Sequence, residues 1–233
     1  MKKSILTDIE GDYCFDKGVL DNFLNAPYDI APRFIGPPGS KLRGGRGKDH
    51  PRYGRFIFAF AEFYKPQNIV EVGTYAGGTA VCWAEAMKNI PGSQLICIDN
   101  DTYSRGTYPE ITRQNLAKTG LSKVHYALMN GDSRELLPDF AKKLEKIVDI
   151  YLVDGDHTYE GTRADIYNGF PMIRSGGFML VHDLDRDRIM DEATEDHPFP
   201  VYEAFMEFIN EHNFKYCILK YVRKHLGVIR IDY

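Results

Sequence analysis

Apolar positions follow two periods along this chain. From Pro51 onward Phe56, Ala59, Phe60 and Phe63 recur at helical spacing, and Asn68-Ile69-Val70-Glu71-Val72 then reads as a short buried strand. The alternation continues, with β-rich apolar runs at Gln94 to Ile98, Lys123 to Met129, Val148 to Val153 and Gly177 to His182 predicting strands. Helices are predicted between them at about 78 to 89, 107 to 119, 134 to 146 and 160 to 173. Strands without a polar face, joined by helix-length crossovers, imply an α/β doubly wound, Rossmann-like fold with a mostly parallel sheet and helices on both faces. A helix near 200 to 212 opens on Pro200, and Lys215 to Tyr221 with Gly227 to Ile231 predicts an antiparallel C-terminal hairpin. Residues 1 to about 48 hold no sustained period and end in the Gly/Pro-rich run Gly36 to Lys48, which reads as a loop. The expected organisation is an N-terminal extension, 1–49, serving as an active-site lid, and a main domain, 50–233.

Composition narrows the function classes. The 233 residues are 43% apolar and 27% charged, an ordinary globular balance, and 29 basic against 33 acidic residues give a net charge of -4. Such a field offers nothing to a polyanion, so nucleic acid is not an expected partner. No segment has the uninterrupted apolar length of a membrane span, and the opening residues do not form a leader; a cytoplasmic protein is expected. Cys14, Cys82, Cys97 and Cys217 are scattered, mostly in apolar runs, and read as buried thiols. Trp83, Met87 and the Phe56, Phe60, Phe63 stripe read as core.

The candidate chemistry sits where strands end. The first parallel strand runs into Glu71-Val72-Gly73-Thr74-Tyr75-Ala76-Gly77-Gly78, a glycine turn that lets a ligand approach backbone at a helix start. It is neither G-x-G-x-x-G nor a P-loop. The next strand ends in Asp99-Asn100, where an acid can accept ribose hydroxyls, and the one after in Gly131-Asp132-Ser133, with Asp132 placed for an adenine amino group. Alternatively Asp99 is a turn acid and Asp132 a helix cap. Two further strand ends, Asp154-Gly155-Asp156-His157 and His182-Asp183-Leu184-Asp185, converge hard oxygens and imidazoles suited to Mg²⁺ or Ca²⁺, and also to Mn²⁺ or Fe²⁺. Asp156 and Asp185 read as capping or supporting residues.

The ordered set Glu71 to Gly77, Asp99, Gly131-Asp132-Ser133 resembles class I S-adenosylmethionine-dependent methyltransferases. That resemblance implies a seven-stranded sheet, with Glu71, Gly73, Thr74, Tyr75, Gly77, Asp99, Asn100, Gly131, Asp132, Ser133 and Asp154 around the cofactor. The run Asp154 to Glu160 is similar to the branch holding macrocin and mycinamicin-type O-methyltransferases and cephalosporin-hydroxylase-like proteins. The similarity implies a divalent ion on Asp154 and Asp183, with His157 as general base; His182 stands where relatives carry Glu. The expected activity is metal-assisted O-methylation of a small hydroxylated acceptor, such as a sugar, phenol or other natural product. Metal ligands would be Asp154, His182 and Asp183, the ion Mg²⁺ before Mn²⁺ or Fe²⁺, and the catalytic pair His157 and Asp154. A noncatalytic protein of the same fold and a hydroxylase-like relative are the alternatives; no histidine is followed two residues on by Asp or Glu, which speaks against the hydroxylase. The basic stretch 41–55 is read as a lid or a solvated linker, Tyr159 and Arg186 as acceptor contacts, and Tyr13, Phe15, Phe23 and Phe34 as exposed aromatics for a homodimer contact.

Overall fold

The computed structural model describes residues 8–27, 50–102, 106–119, 125–187, 191–222 and 224–233. In chain order the elements are β1 (Ile9–Gly11), α1 (Gly18–Asn25), α2 (His50–Tyr64), β2 (Asn68–Val72), α3 (Gly78–Met87), β3 (Gln94–Asp99), α4 (Tyr108–Ala117), β4 (Tyr126–Asn130), α5 (Ser133–Lys143), β5 (Val148–Val153), α6 (Tyr159–Gly169), β6 (Ile173–His182), α7 (Pro200–His212), β7 (Tyr216–Leu219) and β8 (Leu226–Ile231). They fall into two compact units, one from Asp16 to Asp132, the other joining the segment ending at Phe15 to Ser133–Tyr233.

In the Asp16–Asp132 unit, β3 lies between β2 and β4, parallel to both, with Val72 opposite Ile98 and Asp99 opposite Asn130. Ile69, Val70 and Val72 of β2 and Leu95, Cys97 and Ile98 of β3 are buried, so these strands take apolar residues on both faces. Helix α2 packs on α1 and α3; Phe56, Phe60, Trp83 and Met87 are buried there, as the helical spacing required.

In the other unit β5 and β6 are parallel, while β8 runs antiparallel to both β6 and β7. This is the expected C-terminal hairpin. Helix α7 starts at Pro200, where a missing N–H costs nothing, and Asn213 ends it in the left-handed conformation. It packs on α6, where the Phe208 and Tyr167 rings lie 5.3 Å apart, and Phe205, Phe208 and Ile209 are all buried.

Three departures from the sequence reading have local causes. The helix expected to reach residue 173 stops at Gly169; Phe170–Met172 form a 3₁₀ turn around Pro171, which has no N–H to continue the helix, and β6 begins at Ile173. The loop expected over Gly36 to Lys48 lies outside the described residues, and the unpatterned chain before it holds two elements. Helix α1 buries Val19, Leu20 and Phe23, and the three-residue β1 adds an eighth strand to the seven expected, antiparallel to β7. Phe15 and Phe23 are therefore core rather than exposed, whereas Phe34 lies outside the described residues.

The lid reading is also narrowed. Residues 41–49 lie outside the described residues, but Tyr53 and Arg55 of α2 are buried. Arg55 donates from Nε to Ala26 O at 3.1 Å and from Nη2 to Phe23 O at 2.8 Å, so it caps the carboxyl end of α1. All four cysteines are buried thiols.

Candidate active site

The glycine turn is built by backbone strain held from one side. After β2, Gly73 takes φ +85°, Tyr75 φ +51° and Gly77 φ +81°; for a tyrosine that left-handed geometry is costly and must be imposed by its surroundings. The restraint is Asp99. Its Oδ2 accepts from Tyr75 N at 2.6 Å, and its Oδ1 accepts from Asp101 N at 2.7 Å. Gly77 N donates to Thr74 O at 2.8 Å, closing the turn just before α3. Asn115 and Thr112 of α4 donate to Ala76 O and Tyr75 O at 3.1 Å each.

This arrangement leaves the first-turn amides of α3 at a turn with an anionic end opposite it. A carboxylate has about four lone-pair sites, so Asp99 keeps capacity for ligand hydroxyls, and the residues present fit a nucleoside cofactor. Glu71 is fully buried and accepts from Trp83 Nε1 at 2.8 Å, a role inside the core that sequence alone did not suggest. Thr74 is buried, and the Tyr75 ring is 46% exposed, 4.2 Å from that of Tyr108, an aromatic neighbour absent from the sequence reading. Asn100 Oδ1 accepts from Thr102 N and Oγ1, at 3.1 and 2.7 Å. Gly131 N donates to Asp99 O at 3.0 Å, and Asp132 follows, half-buried.

In the other unit the ends of β5 and β6 bring four of the expected residues together. His182 Nδ1 is 3.1 Å from Asp154 Oδ1 and 3.0 Å from Asp183 Oδ2. His157 Nε2 lies 3.3 Å from Asp183 Oδ2 and 3.7 Å from Asp154 Oδ1. A fifth member was not expected: Lys224, in the turn between β7 and β8, sets Nζ 2.6 Å from Asp183 Oδ1. Asp183 itself is buried with φ +66°.

Charge sets the direction in which each group's proton affinity moves. Burial disfavours the charged form of each group, yet the carboxylates of Asp154 and Asp183 outweigh it at His182 and push that imidazole up to about 10. Burial likewise opposes ionisation of Asp154 and Asp183, but His182 holds both below the usual carboxylate range, aided at Asp183 by His157 and Lys224. At His157 burial is again outweighed, by Asp154 and Asp183, and its pKa lies above the ordinary value.

The other expected residues have structural partners. Ser133 Oγ donates to the buried Asp165 at 2.6 Å. Asp156 Oδ1 accepts from Thr158 N at 3.0 Å ahead of α6, a capping role as expected. Tyr159 donates to Glu207 and stacks on His197 at 3.8 Å, and Arg186 binds Glu10 at 2.9 Å and lies over the Tyr202 ring. Tyr159 and Arg186, expected as acceptor contacts, are thus each held by partners within the chain.

Asp154, His182 and Asp183 present ligand atoms within 4.8 Å of one another, a mixed set that Mn²⁺ or Fe²⁺ accepts. As arranged they do not fit a resident divalent ion. Both carboxylates already face basic nitrogens, Asp183 on each of its oxygens.

The comparisons bear on the fold that carries these residues. Residues 70–184 match the model of the family described as "Methyltransferase domain". This stretch of the chain is similar to methyltransferase domains. It contains the glycine turn, Asp99 and the acid–histidine cluster. The S-adenosylmethionine complex of the O-methyltransferase TomG from Streptomyces achromogenes is similar over 94% of this chain and 91% of its own, with 15% identity and a TM-score of 0.65. The SAH-bound methyltransferase PaMTH1 of Podospora anserina covers 100% of this chain and 94% of its own, at 14% identity and a TM-score of 0.64. At these identities the likeness shows the fold, the Rossmann-like fold of methyltransferases. The uncharacterized protein y4gI of Sinorhizobium fredii is 26% identical over 196 residues, 80% of this chain but 19% of that protein. The chain thus spans about a fifth of the length of this curated relative.

Proposed function

We propose that the domain transfers a methyl group from S-adenosylmethionine to a hydroxyl of a small molecule. The observation that carries the cofactor assignment is the Asp99 carboxylate bonded to the Tyr75 amide beneath the glycine turn. Asp99 accepts the ribose hydroxyls, and the first-turn amides of α3 take the amino-acid part. S-adenosylmethionine supplies a methyl group on a positively charged sulfur, which departs as a neutral thioether.

The acceptor oxygen needs a place to put its proton, and His157 provides it. The imidazole accepts that proton at Nδ1, while Asp154 and Asp183, 3.7 and 3.3 Å from Nε2, fix the N–H on that side and stabilise the imidazolium that forms. The C–O bond forms as the C–S bond breaks, its electron pair staying on sulfur. His157 must start neutral, and its pKa is raised, so the rate climbs with pH along a limb above the ordinary histidine value of 6.5. The divalent ion implied by the resemblance has no part in this reading.

Calorimetric titration of S-adenosylhomocysteine tests the cofactor. One-to-one binding to the wild-type chain, weakened about tenfold or more by Asp99→Ala, is expected, since a carboxylate hydrogen-bonded to ligand contributes about 1.5–3 kcal/mol. Absence of heat from the wild type would overturn the assignment in favour of a noncatalytic protein. With a labelled methyl donor and a panel of hydroxylated acceptors, His157→Gln is expected to lower turnover by about 10²–10⁴-fold.

A further inference from the structure

The acid–histidine cluster holds one basic group that proton transfer does not need. On β8 Leu226 pairs with His182 of β6 on one side and with Leu219 of β7 on the other, so the turn that closes the β7–β8 hairpin stands at the end of β6. Lys224 and His225 in that turn are both left-handed, with φ +60° and +59°. This bend delivers Lys224 Nζ to 2.6 Å from Asp183 Oδ1, while His182 Nδ1 and His157 Nε2 lie 3.0 and 3.3 Å from Asp183 Oδ2. Three basic side chains thus surround two carboxylates, and Asp183 is engaged on both oxygens.

We propose that Lys224 is a positioning residue that takes, at Asp183, the place of a divalent cation. Its ammonium fixes the carboxylate that orients His157 and keeps divalent ions off Asp154 and Asp183. Two features favour the tethered cation. Asp183 is buried, so its charge is satisfied by a partner already within the chain at high effective concentration. An incoming ion would also meet like charge at contact distance, or have to displace Lys224. The role of Lys224 in orienting the base rests on the methyl-transfer reading; the exclusion of metal does not.

The test uses the full chain with Mn²⁺ as probe, followed by electron paramagnetic resonance of the free ion. Lys224→Gly suits the left-handed backbone and removes the ammonium; Lys224→Met keeps the stem without the charge, and Lys224→Arg restores the charge. We expect the wild type and Lys224→Arg to leave Mn²⁺ free, and Lys224→Gly and Lys224→Met to bind one ion at least about tenfold more tightly. Asp183→Asn placed in Lys224→Gly should abolish that binding. Equal one-to-one binding by the wild type and Lys224→Gly overturns the proposal. Failure of all four proteins to bind also overturns it, because Lys224 would then not be what excludes the ion. S-adenosylhomocysteine titration of the same proteins separates the two readings: a wild type that binds no cofactor loses the methyltransferase assignment, while the Mn²⁺ comparison still decides the role of Lys224.

Discussion

His182 concentrates the electrostatics of the cluster in one side chain. It is 8% exposed, with oxygens of Asp154 and Asp183 3.1 and 3.0 Å from its Nδ1, and its pKa is pushed up to about 10. A histidine raised above its unfolded value contributes stability that is complete below that value, 6.5, and is lost as pH rises through about 10. Folding stability is therefore expected to decline between these limits, with a slope of up to about 1.4 kcal/mol per pH unit. Urea unfolding at several pH values measures it, and His182→Gln should flatten the decline; an unchanged slope in the variant would refute the assignment. Asp183 works in the opposite sense, since its pKa is lowered. Its contribution is present above the ordinary carboxylate value and disappears as acid protonates it. At this scale the sequence was informative about types and poor about partners. Asp154, His157, His182 and Asp183 were legible because each follows a strand, and parallel strands deliver their ends to one place. Lys224 was not, because its reach depends on two left-handed residues in a turn that no period marks.

Among the elements, the passage from β2 into α3 depends most on a single residue. Gly77 has φ +81°, and a Cβ there would sit 2.8 Å from Thr112 Cγ2 and 3.2 Å from Thr112 Cα on α4. Gly77→Ala combines backbone strain with a clash against another helix, and a loss of about 1–3 kcal/mol is expected, together with weaker cofactor binding. Thermal unfolding gives the first and S-adenosylhomocysteine titration the second; a variant as stable as wild type would show that α4 yields. The strands β2 and β5 begin and end where their β-rich runs do, and Gly73 and Asp154, which follow them, do not extend the apolar run. Helix α6 stops short because Pro171 interrupts it, a boundary the apolar spacing alone could not show. The elements α1 and β1 were hidden because eight and three residues are too few to display a period.

The molecule as a whole carries a net charge of -4. No helix among the described residues is long and apolar enough to cross a membrane. The least expected property is that one compact unit is assembled from the two ends of the chain. Its N-terminal part is fastened at several points: Ile9 to Gly11 pair with Leu219 to Cys217, Cys14 Sγ donates to Val228 O at 3.1 Å, and Glu10 meets both Arg186 and Lys220. A chain beginning at Asp16 would lose these contacts and the burial of Cys14 and Phe15. Its urea midpoint should fall, by an amount equivalent to about 2–4 kcal/mol for two buried apolar side chains. An unshifted midpoint would mean that β7 needs no partner on that edge.

That pairing also has a consequence in time. Cys14 and Cys217, whose sulfurs lie 3.6 Å apart, are separated by 203 positions. At about 5–20 residues per second, a ribosome needs roughly 10–40 s to travel that far. Throughout the interval β1 has emerged from the exit tunnel while β7 has yet to be translated. The segment made early is thus among the last to be seated, and it waits in the meantime within reach of chaperones and proteases.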